Sequence, residues 1–234
     1  MRVSERQQGI LHRLRDQTYL QIDELANEFE VTTQTIRRDI NQLCDMGLAR
    51  RHHGGVGLPI SMSNQNYRVR EIAQRVEKQT LAQRVVQNIP EGSTIMLGIG
   101  TTIAAIAEHL IHKSSLRVIT NNFQVAAILG QAPHIEVWLA GGKLRANDQD
   151  IVGHSALSFM GQFSADIGIV GCASVEVAEN NIECAMEFKP DEARLSQCIL
   201  SNTRQSWLVA DKEKWNRLAC VKVALLKDFD KVFT

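Results

Sequence analysis

Near the start of the chain, apolar residues recur at helical spacing in short blocks. Ile10, Leu11 and Leu14 share a block that opens at Ser4, with Gln7 three positions on as a capping box. Ile22, Leu25, Ala26 and Phe29 mark a second short helix, and Ile36, Ile40 and Leu43 a third. Thr32 is placed to cap that third helix, which then begins at Thr33. At about 100° per residue its apolar side chains fall in one arc. Thr33, Gln34, Arg37, Arg38 and Asn41 fall in another, and Thr35 lies among them in sequence. Only Glu30, Val31 and Thr32 separate the second and third helices, so the pair reads as a helix-turn-helix. Residues 48–58 then read as two short strands around Gly54-Gly55, a wing that carries Arg50, Arg51, His52 and His53.

Residues 59–70 are polar and lack periodicity, which predicts a linker between a winged helix-turn-helix domain (1–58) and a second domain (71–234). In the second domain a helical pattern over 71–89 ends at Pro90-Glu91-Gly92. Short apolar runs follow at 94–97, 116–119, 135–139, 167–170, 206–209 and 221–225. Helical patterns at 103–111, 123–129, 155–163 and 191–202 lie among them. Continuous apolar strands separated by helices predict an α/β fold with a mostly parallel sheet covered on both faces.

Sheets of that kind bind ligands at the carboxyl ends of their strands. After the first strand comes Gly98-Ile99-Gly100-Thr101-Thr102, a loop that opens a helix and suits a phosphate. After the second comes Thr120-Asn121, and after the third Gly141-Gly142-Lys143-Leu144-Arg145. The strand at 206–209 leads into Asp211-Lys212-Glu213-Lys214. Arg145 and Lys214 supply cations for the same anion. A dinucleotide site fits poorly, because Ile103 takes the third glycine position and no acid ends the second strand. No lysine of a Walker A loop follows either. Asp148, Asp150, Glu187 and Glu192 are carboxylates that an isomerase would use as a base. None sits in a recognisable catalytic motif, and Glu192 is placed among the effector-binding residues.

The chain has 234 residues and zero formal net charge, against the simple basic kind of DNA binder. Placement matters more than the sum, because salt screens surface charges beyond about 10 Å. Arg37, Arg38, Arg50 and Arg51 gather on the expected DNA side, whereas Asp23, Glu24, Glu28 and Glu30 lie on or beside the second helix. Non-specific affinity is therefore modest, and specific binding needs a dimer or larger assembly. Cys44, Cys172, Cys184, Cys198 and Cys220 have neither metal-site nor redox-motif spacing and read as reduced thiols of a cytoplasmic protein. No metal or cofactor is expected; His109 and His112 lack a third ligand nearby. No apolar run is long enough to span a bilayer, and the polar first residues do not resemble a signal peptide.

Together these motifs resemble the DeoR family of bacterial transcription regulators over nearly the whole chain. The resemblance rests on Gln34-Thr35-Ile36-Arg37-Arg38-Asp39-Ile40, Arg51-His52-His53-Gly54-Gly55, Gly100-Thr101-Thr102, Thr120-Asn121, Gly141-Gly142-Lys143-Leu144-Arg145 and Asp211-Lys212-Glu213-Lys214-Trp215. It implies a C-terminal domain related to ribose-5-phosphate isomerase that binds a phosphorylated metabolite without turning it over. It also implies a repressor released from double-stranded operator DNA by that metabolite. Within the family, Ile119-Thr120-Asn121-Asn122, Leu139-Ala140-Gly141-Gly142 and Ser158-Phe159-Met160-Gly161-Gln162-Phe163 are similar to the glycerol-3-phosphate-responsive branch. That similarity implies sn-glycerol 3-phosphate as effector. Gly98 departs from the family, which usually has an acid or amide there, and residues 173–189 depart as well.

The expectation is thus a homodimeric or homotetrameric, non-enzymatic regulator of carbohydrate or glycerol metabolism. The alternatives are a sugar-phosphate isomerase-like enzyme and a regulator that has lost its small-molecule response. The effector set is Gly98, Gly100, Thr101, Thr102, Asn121, Gly141, Gly142, Arg145, Glu192, Asp211 and Lys214.

Overall fold

The structure, a computed structural model, describes residues 3–17, 19–46, 48–52, 54–57, 67–178, 181–217 and 219–234. The chain divides into two compact units, Met1–Val69 and Arg70–Thr234.

The first unit holds α1 (Glu5–Asp16), β1 (Tyr19–Gln21), α2 (Ile22–Glu28), α3 (Thr33–Asp45), β2 (Arg50–His52) and β3 (Gly55–Gly57). Ser4 and Gln7 form the capping box at α1, and the Thr32 hydroxyl accepts from the Thr35 amide at the start of α3. Ile10, Leu14, Ile36, Ile40 and Leu43 are fully buried, so the helical periodicity becomes one small core. The wing has a third strand that the periodicity missed: β1 pairs with β3, giving the antiparallel order β1-β3-β2. Three residues are too few for an alternation signal. Gly55 is needed here, since a Cβ would lie 2.4 Å from the Leu20 carbonyl oxygen and 2.5 Å from the Tyr19 ring.

The helix α4 (Tyr67–Ile72) spans the boundary between the units. The expected linker therefore ends earlier: residues 67–70 are helical, and 59–66 lie outside the described residues. The helix expected over 71–89 is broken. Gln74, at φ 54, separates α4 from α5 (Arg75–Gln87).

The remaining elements are β4 (Thr94–Leu97), α6 (Thr101–Leu110), β5 (Arg117–Thr120), α7 (Phe123–Leu129), β6 (Glu136–Leu139), β7 (Leu144–Arg145), β8 (Asp150–Ile151), α8 (His154–Met160) and β9 (Ala165–Val170). After them come β10 (Ser174–Ala178), β11 (Ile182–Glu187), α9 (Pro190–Ser201), β12 (Thr203–Val209), a 3₁₀ turn (Lys212–Asn216), β13 (Val221–Leu225) and β14 (Lys231–Phe233). Six strands form one parallel sheet in the order β14-β12-β9-β4-β5-β6. Both of its faces are covered, which is why its strands read as continuous apolar runs. On one side Ile95, Leu97, Val118 and Ile169 pack with Leu81 and Val85 of α5, Ile103 and Ile106 of α6, and Val125 of α7. On the other, Met96, Ile119, Val170 and Leu208 pack with Met160 of α8 and Leu195 and Ile199 of α9.

Two details differ from expectation. The run 221–225 is not a strand of the parallel sheet: β13 pairs antiparallel with β11, which pairs with β10. The β10–β11 hairpin had a readable signal, an alternation of Val175 and Val177 with Ile182, Cys184 and Met186 around Asn181, which sits at φ 57.

Candidate nucleic-acid interface and ligand site

On α3 the side chains of Thr33, Gln34, Arg37, Arg38 and Asn41 are exposed, on the face opposite Ile36, Ile40 and Leu43. Thr35 is half-buried, and its hydroxyl lies 2.9 Å from that of Thr32, so it serves the cap as well as the face. Arg50 and Arg51 are exposed on β2. His53 lies outside the described residues, as does the side chain of His52. Arg37, Arg38, Arg50 and Arg51 make no salt bridge among the described residues. Uncompensated guanidinium groups on a recognition helix and its wing suit phosphates and base edges.

The helix also has a buried polar fastening that its sequence pattern did not disclose. Asp39, 5% exposed, accepts from Arg6 Nε at 2.6 Å and from Gln7 Nε2 at 3.1 Å. Gln7 Nε2 also donates to Gln42 Oε1 at 2.6 Å. A carboxylate in the middle of the expected recognition helix thus turns inward and clamps α3 to α1.

In the second unit all six parallel strands point their carboxyl ends to one edge of the sheet. The loop after β4 is built by its neighbours. Gly98 N donates to the Ile169 carbonyl at 3.0 Å. Asn122 Nδ2 donates to the Gly100 carbonyl at 3.2 Å, while Asn122 Oδ1 caps α7 by accepting from Gln124 and Val125 amides. Thr120 Oγ1 donates to the Leu97 carbonyl at 2.7 Å. Gly100, the N-cap of α6, sits at φ 111, a conformation that favours glycine, and no side chain caps the helix. Thr101 and Thr102 are buried, whereas Gly141 and Gly142 are exposed after β6. Gly98 has room for a Cβ, with the nearest atoms 3.5 Å away.

The charged residues divide into committed and uncommitted groups. Arg145 grips Asp150 with Nε and Nη2, at 2.7 and 2.8 Å, and donates from Nη1 to Glu192 at 2.6 Å. Glu192 also accepts from the Lys189 amide at 3.2 Å, closing the start of α9. Asp148 pairs with Arg70 at 2.9 Å and lies 3.4 Å from Arg145. Three of the four carboxylates considered as isomerase bases are therefore held by arginine. Glu187, the fourth, is 5% exposed, and among the described residues its carboxyl makes no hydrogen bond or salt bridge; burial and nearby Glu192 push it up to about 8. Lys214 is half-buried and makes no salt bridge among the described residues, and its ammonium is weakened by burial and by Arg217. Lys78, which sequence reasoning missed, is 6% exposed, and burial with nearby Lys214 lowers its amine to about 8.

Among the described residues, Asn121 Oδ1, Ser174 Oγ and Asp211 Oδ1 are buried side-chain atoms without a hydrogen-bond partner. Asn121 directly follows β5, Ser174 begins β10 just after β9, and Asp211 follows β12. All three lie beyond carboxyl ends of the parallel strands. Native interiors leave few such atoms, so their gathering at one edge makes it a candidate polar ligand surface.

Fold and sites define a winged-helix DNA-binding regulator joined to an α/β domain with a polar carboxyl edge. The DeoR-like helix-turn-helix domain matches residues 6–61, and the DeoR C terminal sensor domain matches residues 73–234. The chain is 38% identical over 234 residues to the glycerol-3-phosphate regulon repressor of Escherichia coli K12, a match covering 100% of this chain and 91% of that protein. It is also 38% identical over 229 residues to the HTH-type transcriptional repressor CsqR of the same strain, covering 98% and 86%. A solved ribose 5-phosphate isomerase A from Methanocaldococcus jannaschii aligns with 61% of this chain and 55% of its own, at a TM-score of 0.44 and 15% identity. That likeness is too remote to bear on activity. The chain belongs to the DeoR family and is a DNA-binding transcriptional regulator. No helix among the described residues is long and apolar enough to cross a membrane.

Proposed function

We propose that this regulator represses genes for the use of a polyol or sugar phosphate and leaves its operator when that phosphate ester binds the C-terminal domain. The observation that carries the reading is the set of unpartnered oxygens at Asn121, Ser174 and Asp211. The amide oxygen of Asn121 and the carboxylate of Asp211 only accept hydrogen bonds. A bare phosphate offers them little, whereas a ligand with several hydroxyl groups brings the missing donors. The loop 98–102, with its uncapped helix start, and Lys214 then take the phosphate end. Three of the four carboxylates that would serve an isomerase as base are tied to arginine, which favours binding over turnover.

Proteins named glycerol-3-phosphate regulon repressor, at 38% identity in E. coli and 36% in Haemophilus influenzae, make sn-glycerol 3-phosphate the first ligand to test. Titration calorimetry and operator binding with that compound decide the matter. Wild type binds it and releases the operator. Thr102→Val removes one hydroxyl donor at little cost in volume and leaves Thr101 in place, so it keeps operator binding and weakens the response. If that variant binds the ligand as tightly as wild type, the pocket lies elsewhere.

A further inference from the structure

The corner between α4 and α5 is held by groups that look toward the proposed ligand site. Arg70, the first residue of the C-terminal unit, follows directly on Val69, the last residue of the DNA-binding unit. Its guanidinium donates to Asp148 Oδ1 at 2.9 Å. Its carbonyl accepts from Lys78 Nζ and, at a long 3.4 Å, from Thr101 Oγ1. Lys78 Nζ also donates to the Ala73 carbonyl at 2.7 Å, so a buried ammonium staples the exposed carbonyls at the end of α4.

Each fastener has a second tie. Thr101 opens α6 beside the phosphate loop. Lys78 lies in the field of Lys214 and Asp211, and Arg70 in that of Glu187. Asp148 reaches Arg145 and, at 3.8 Å, Lys189.

We propose that the α4–α5 corner is the latch through which ligand occupancy reaches the DNA-binding unit, because Thr101, Lys78 and Arg70 cannot hold the corner and contact an arriving phosphate at once. The proposal rests on the phosphate-ester reading of the same site. A hydroxyl bonded to a phosphate makes a charge-assisted bond, roughly twice as strong as one to a neutral carbonyl. Against a contact of 3.4 Å the phosphate wins the Thr101 hydroxyl. The anion also draws the Lys78 ammonium and the Arg70 guanidinium, loosening the segment that leads into the DNA-binding unit. The ligand acts because it favours the unlatched state over the latched one.

Asp148→Asn in the full-length protein tests the latch, since it removes the charge that holds Arg70 and conserves shape. Arg70→Gln cuts the same contact from the other side; because it also removes a cation offered to the phosphate, it is read only by exchange and ligand-free operator affinity, where it must match Asp148→Asn. In ligand-free variants, hydrogen exchange speeds up across residues 70–78 and stays as in wild type along α6. Operator affinity without ligand shifts toward that of ligand-loaded wild type. Asp148→Asn still binds sn-glycerol 3-phosphate by calorimetry, more tightly than wild type by the reciprocity of coupling. With saturating sn-glycerol 3-phosphate, operator affinity of wild type falls about tenfold or more, and that of Asp148→Asn less than about threefold. Variants with wild-type exchange and wild-type operator affinity overturn the latch, and so does folded Asp148→Asn that no longer binds the ligand. Wild type that binds no phosphate ester sinks the effector reading instead. Ligand-free operator affinity of the variants then decides the latch alone: a shift keeps it, and no shift overturns it.

Discussion

A buried carboxyl with no cation bonded to it must answer to pH, and Glu187 is that residue. Its ordinary value of 4.5 rises to about 8 because burial and the neighbouring Glu192 disfavour the carboxylate. Between these values the folded chain keeps the proton and the unfolded chain has lost it. The unfolded state then binds fewer protons, so stability falls as pH rises through this window, by up to about 1.4 kcal/mol per pH unit. Above the folded value both states are ionised and the slope ends. Glu187→Gln cannot titrate, so scanning calorimetry from pH 5 to about 8 finds a flatter decline in Tm for the variant. An unchanged slope means that Glu187 is ionised at neutral pH. Residue types at this edge were legible in the sequence. Which carboxylates are neutralised was not, because Arg145 reaches Glu192 across 47 positions of sequence.

The helix α3 separates two roles on one element. Arg37 and Arg38 face outward, and Asp39 between them and the core faces inward. Arg37→Ala/Arg38→Ala leaves urea unfolding within about 0.5 kcal/mol of wild type, as surface changes do. It abolishes sequence-specific operator binding and lowers the salt slope by about one for each phosphate contact removed. Asp39→Ala behaves in the opposite order. It takes one acceptor from buried Gln7 and the partner of Arg6 and costs about 1–3 kcal/mol of stability, and operator binding weakens because the tie of α3 to α1 is reduced to Gln7–Gln42. A folded Arg37/Arg38 double variant with normal operator affinity would refute the recognition-helix assignment. Helical periodicity placed α3 because its packed face lies within one element. The clamp depends on Arg6 and Gln7, more than thirty positions away, and no periodicity reports it.

For the whole molecule, zero net charge sets the scale of DNA affinity. A lone winged helix gains little from non-specific attraction when its acids balance its bases. Tight binding therefore needs two recognition helices on half-sites about one helical turn, or a multiple of it, apart. Sedimentation velocity of the free protein reveals a dimer or tetramer, and halving the operator removes most of the affinity. A monomer that binds one half-site tightly refutes this.

Local chemistry already determined two domains, the helix-turn-helix with its wing, the parallel α/β class and the polar loops at the strand ends. Each of these follows from periodicities, caps and turn residues that act over a few positions. Tertiary structure decided the rest. It moved β13 out of the parallel sheet to pair with β11, a choice between partners that a five-residue apolar run cannot express. It broke the first helix of the second domain at Gln74 and fastened the corner with Lys78 and Arg70. It also committed Arg145 to Asp150 and Glu192 while leaving Lys214 without a salt bridge among the described residues. A side chain's type says which charge it carries, but burial and the groups that folding brings beside it decide whether that charge is available.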